Sequence, residues 1–181
     1  MRVLNFLADH HVVYQTVVHP PAYTATKRAH YLHVPGRLLA KSVLLAGPRG
    51  HLLAVLPATC QVDREAVARA MGGPVRLARV EEIAQVFGDC EWGVAVPFGT
   101  LYGIPTLLDE SFDLEAELVF EAQMHAVAIR MRCCDFERLE KPRRLRLARI
   151  QLSGDARAAI DSPSTGTTPD CRPNRARRAS D

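Results

Sequence analysis

The side chains able to do chemistry in this sequence are few and scattered. Lys41 is the only lysine in the apolar stretch 38–46. Lysine is rarely buried without a partner, because desolvating its charge is costly. Lys41 therefore either faces solvent from an alternating strand or serves as a cation in a pocket. The run Gly93-Val94-Ala95-Val96-Pro97-Phe98-Gly99 lets a ligand approach the backbone closely, where N–H groups can hold a carbonyl or an oxyanion. It also reads as a plain strand ending in a turn. His125 precedes the apolar run 126–131, a place for a packed loop histidine as much as for one that faces a ligand. Cys90 and Ser42 are nucleophile types, but neither has a base in its sequence neighbourhood. Nucleophile-elbow, Walker and dinucleotide signatures are absent.

Metal and redox chemistry find no framework. The five cysteines, Cys60, Cys90, Cys133, Cys134 and Cys171, contain no Cys-x-x-Cys pair, and Cys133 and Cys134 would point to opposite faces of a strand. A zinc site or disulfide scaffold is not expected, no cofactor is called for, and a reducing cytoplasm is the expected compartment. His10-His11 and the His30/His33 pair read as surface residues.

The 181 residues are 48% apolar and 24% charged, an ordinary globular balance. No apolar run approaches the roughly 18 residues of a membrane span, and the start lacks a signal-peptide pattern. Charge is uneven: residues 1–137 carry a net −3 and residues 138–181 a net +6. That asymmetry fits either a polyanionic partner met at one end or a solvated tail. The expected organisation is a body over 1–152 and a disordered basic Ser/Pro/Arg-rich tail over 153–181, which is too polar to bury a core.

The elements that must position these groups are short. Apolar spacing predicts a helix near 3–10, and β-branched residues predict a strand over 12–18. Thr24 can cap a helix reaching about residue 33. Two apolar runs, 40–46 and 51–56, flank Gly47-Pro48-Arg49-Gly50 as a hairpin. Asp63 caps a helix through 71, followed by a strand at 75–77 and a helix over 80–87. Strands are then expected at 93–96, 106–108, 118–120 and 126–131. Residues 143–152 are expected to form a helix or strand lying on the body. Without a regular βαβ rhythm, these elements predict an α/β (α+β) protein with a mixed sheet or open barrel.

In order, His19-Pro20-Pro21-Ala22-Tyr23-Thr24, Ala40-Lys41-Ser42-Val43-Leu44, the run from Gly93 to Gly99, Asp109-Glu110-Ser111 and His125 resemble the YbaK/EbsC family. These are free-standing relatives of the editing domain of bacterial prolyl-tRNA synthetase. The likeness covers about residues 1–140. It implies a barrel-like mixed sheet flanked by short helices, and hydrolysis in trans of a mischarged aminoacyl-tRNA carrying a small amino acid. The resemblance also implies catalytic roles for Lys41, Gly93 and His125, with His125 near the aminoacyl side chain. Substrate contacts are implied for Tyr23, Thr24, Ser42, Val96, Pro97, Phe98, Gly99 and Asp109. The implied partners are the 3′-terminal aminoacyl-adenosine of a tRNA and a synthetase, with no membrane. Gln123 departs from the family, which often has glycine there, and is expected to alter the pocket. Pro20-Pro21 before Tyr23 is expected to narrow its entrance. The alternatives are a tRNA- or synthetase-binding module of the same fold without turnover, and a regulatory pocket for a free nucleotide.

Overall fold

A computed structural model describes residues 1–150; the expected tail over 153–181 lies outside the described residues. Helix α1 (Arg2–Asp9) turns Val3 and Leu7 into the core. Strand β1 (Tyr14–Val18) leads to helix α2 (Ala25–Tyr31), where the Thr24 hydroxyl accepts a hydrogen bond from the Lys27 amide at 3.2 Å. The hairpin forms as predicted: β2 (Leu39–Gly47) pairs antiparallel with β3 (Gly50–Pro57), with Gly47 opposite Gly50. Strand β4 (Cys60–Val62), helix α3 (Arg64–Met71), strand β5 (Arg76–Leu77) and helix α4 (Val80–Val86) follow. The Asp63 carboxylate accepts from the Glu65 and Ala66 amides to start α3.

The second half adds β6 (Thr106–Asp109), β7 (Glu117–Glu121) and β8 (Val127–Arg132). Helix α5 (Cys133–Glu140), β9 (Arg143–Leu145) and β10 (Ala148–Ile150) complete the described chain. The mixed sheet runs β1-β8-β7-β2-β3-β6-β9, with β5 on the far end of β2, while β10 and β4 form a separate pair. Its outermost strands are β1 and β9, and no pairing joins them among the described residues. Among those residues, no helix is long and apolar enough to cross a membrane.

Two differences from the sequence expectations bear on function. Cys133 and Cys134 open a helix rather than lie on a strand, because Cys133, Phe136 and Glu140 recur at helical spacing and are buried together. Residues 93–96 form no strand: Trp92 and Gly93 make a turn, and the residues after it pair with no strand. Burial still alternates over 93–96, with Val94 and Val96 in the core, and the following residues through Gly99 are all buried.

Phe98 is the aromatic centre of that core. Its ring meets Phe6, Phe120 and Phe136 edge-on at centroid distances of 5.6, 5.7 and 5.0 Å. The opposite sheet face buries Leu45, Leu52, Leu56, Val67, Leu107 and Leu147. Helix α2 packs Ala25 and Ala29, with Leu32 just past its end, against Leu39, Val119 and Ala128.

Asp109, 3% exposed, ends β6. Its carboxylate accepts from the Leu147 and Ala148 amides at 2.9 and 2.7 Å, and from the Ser111 amide and hydroxyl. Those donors occupy both oxygens, so Asp109 clasps the chain leaving β9. Asp109→Ala, which strands these donors, is expected to lower stability by about 3 kcal/mol; urea titration followed by circular dichroism measures it.

Candidate active site

A cavity of about 170 Å³ opens beside the start of β2 and the end of β7, lined by Tyr23, Ala25, Arg28, Ala40, Lys41, Ser42, Gly93, Ala95, Glu121 and His125. Its floor comes from strand pairing. Leu39 and Ala40 of β2 lie in parallel register with Val119 and Phe120 of β7, so the next positions, Lys41 and Glu121, come side by side at the rim. The turn between β7 and β8 carries His125. The chain leaving β1 is stitched to that turn by His19 N to Ala126 O at 2.9 Å and Ala22 N to His125 O at 3.0 Å. That brings Tyr23 over the site, its ring centroid 4.7 Å from that of His125.

Segment 93–98 supplies the remaining wall with backbone. Gly93 has φ +83°, a left-handed conformation that a side chain would strain. The buried Val94, Val96 and Phe98 anchor the segment from below, while Gly93 and Ala95 line the cavity. The Val94 amide donates to Glu91 O at 2.9 Å. The amides of Gly93 and Ala95 donate to no protein acceptor among the described residues. Backbone N–H groups without a protein acceptor are the kind of donor that oxyanion stabilisation uses.

Arg28, Glu121 and His125 form a paired, partly dry cluster in the site. Arg28, 4% exposed, holds Glu121 Oε1 and also donates to Ala22 O at 2.8 Å. His125 Nδ1 lies 2.9 Å from the same Glu121 oxygen, and its Nε2 lies 3.0 Å from Trp92 O. Burial pushes the Glu121 carboxyl above the usual carboxylate range against the pull of Arg28 and His125, and holds Arg28 below its usual value. With both ring nitrogens engaged by the protein, His125 is a fixed wall of the cavity. Lys41 is half-buried with Nζ 3.4 Å from Ala58 O, and burial lowers its pKa from the ordinary lysine value.

The remaining sequence-derived candidates fall in other places. Val96, Pro97, Phe98 and Gly99 are buried beneath the cavity wall. Gly99 is there for close approach, since a Cβ would collide with Ile104 O and Thr106 Oγ1. Thr24 caps α2, and Asp109 is occupied at the end of β6. Gln123 does not reach the cavity: its amide donates to Asp89 Oδ2 at 2.7 Å and its carbonyl accepts from Val3 N at 3.1 Å. Cys90 lies outside the lining, and burial pushes its thiol up to about 11, so it stays protonated at neutral pH. Ser42 lines the cavity but has no base bonded to its hydroxyl among the described residues. Arg28 and Glu121 escaped the sequence reading. The available signal was a glutamate closing the apolar run 118–120, four residues before His125.

Several solved proteins share this mixed-sheet fold. The hypothetical protein APE2540 superimposes with a TM-score of 0.75 at 16% identity, over 82% of this chain and 100% of that one. A candidate trans-editing enzyme for prolyl-tRNA synthetase gives 0.68 at 23% identity, covering 82% and 95%. A signal-transduction protein candidate from Marinobacter aquaeolei VT8 gives 0.63 at 22%, covering 81% of this chain and 30% of that one. Among curated proteins none matches by sequence. The family model of the aminoacyl-tRNA editing domain matches residues 19–139, a span holding every residue of the cavity. The chain belongs to that family.

Removing one partner of the buried pair leaves an uncompensated charge. Arg28→Ala or Glu121→Ala is expected to cost about 3–5 kcal/mol, and Arg28→Met combined with Glu121→Leu distinctly less. Denaturant melts of the single and double variants measure the difference.

Proposed function

We propose that the protein is a trans-editing aminoacyl-tRNA deacylase, hydrolysing the ester of a small amino acid mischarged on tRNA(Pro) or a related tRNA. The observation that carries this reading is the convergence of Tyr23, Lys41 and Ser42, Gly93 and His125, from four separate segments, on one cavity with unengaged amides in its wall. Membership of the editing-domain family supports it, as does the fold shared with a candidate trans-editing enzyme for prolyl-tRNA synthetase. A cavity of about 170 Å³ suits a small aminoacyl group and leaves the nucleotide outside.

In this reading water attacks the ester carbonyl, the carbonyl oxygen takes up negative charge, and the Gly93 and Ala95 amides donate to it. The bond to the terminal ribose oxygen then breaks. That oxygen takes a proton, which frees the amino acid and the tRNA. An aminoacyl ester is already activated, so positioning and charge stabilisation suffice, and a neighbouring ribose hydroxyl of the substrate can help orient the water. Lys41 fixes a phosphate or the 3′-terminal nucleotide at the rim. His125, clamped by Glu121 and Trp92, walls the aminoacyl side chain and limits its size.

A deacylation panel tests this: tRNA(Pro) charged with Ala, Cys, Ser or Pro, together with Thr-tRNA(Thr) and Ser-tRNA(Ser). One small-residue ester is expected to disappear rapidly, and Lys41→Ala, which loosens the positioning of the substrate, to slow that loss about 100-fold. Gly93→Val, which strains the wall, is expected to lower kcat while the fold persists. Survival of every ester with tRNA still bound would replace the deacylase with a binding module.

A further inference from the structure

Trp92, the only tryptophan in the sequence, is 66% exposed beside the cavity. It is not a loose loop residue. The Glu91 amide donates to Gln123 O at 2.9 Å, Glu91 Oε2 accepts from the His125 amide at 2.7 Å, and Trp92 O faces His125 Nε2 at 3.0 Å. Gly93, next in sequence, is cavity wall. A large aromatic side chain is thus held out in water on a corner pinned from both sides. Tyr23, 76% exposed, also touches the His125 ring. Both exposed aromatics are therefore referenced to one histidine at the mouth of the site.

Exposed aromatics on a rigid frame bind single-stranded nucleic acid by stacking on base faces, a contact open to every base. From this arrangement we propose that Trp92 is a stacking platform for a base of the single-stranded CCA end of the tRNA, holding the strand while the aminoacyl group enters the cavity. The proposal rests on the reading of the cavity as an aminoacyl-ester site. It adds a binding residue that acts on the nucleic acid outside the cavity, separate from the ester chemistry.

Because all tryptophan emission comes from this one side chain, the test is direct. Wild-type protein is titrated with the trinucleotide CCA and with uncharged tRNA, and saturable quenching is expected from both. In deacylation assays Trp92→Ala is expected to raise KM about tenfold, with kcat within about twofold, and Trp92→Phe to recover most of the loss. The salt dependence of tRNA binding should keep its slope in Trp92→Ala, because stacking releases no counterions. Quenching by CCA without hydrolysis of any ester would support the platform and remove the deacylase reading. Hydrolysis by wild type with unmoved fluorescence and an unchanged KM in Trp92→Ala would overturn the platform and leave the deacylase standing.

Discussion

Arg28 and Glu121 place opposite charges where little water reaches, and the geometry of the site refers back to that contact. Arg28 sits on α2 and Glu121 ends β7, so the pair fixes the helix against the sheet where β2 and β7 run parallel. The carboxylate also orients His125, which orients the corner at Trp92, while Arg28 holds the Ala22 carbonyl beneath Tyr23. A buried ion pair contributes little net stability compared with apolar packing. Its value here is positional: it defines a single arrangement of three segments far apart in sequence.

Segment 93–98 shows how a rule of local structure turns into chemistry. Alternating small and apolar residues ask for a strand, and a strand would engage its amides in a ladder. Gly93 in a left-handed conformation and Pro97, which has no N–H, keep the stretch out of the sheet. Core anchoring by Val94, Val96 and Phe98 still makes it rigid. Order without pairing is what leaves the Gly93 and Ala95 amides unengaged.

The parts legible in the sequence were those governed by neighbours. The Gly-Pro-Arg-Gly hairpin, the Thr24 and Asp63 caps and the apolar spacing of α1 all act within a few residues, and each appears with nearly the expected bounds. The pairing of Arg28 with Glu121 spans 93 residues and depends on strand order, which no local pattern encodes. The same holds for Asp109: a carboxylate after an apolar strand looks the same whether it meets substrate or the amides of Leu147 and Ala148. Helix α5 was obscured because a pair of adjacent cysteines carries no period of its own.

A cavity wall whose donors belong to the main chain changes what mutation can reach. Every residue but proline carries the same N–H, so no ordinary replacement at Ala95 deletes the donor itself. Vulnerability moves to the residues that set backbone shape: Gly93, for its dihedral angle, and the apolar anchors below it. Side chains around such a site can drift widely while its main-chain donors persist.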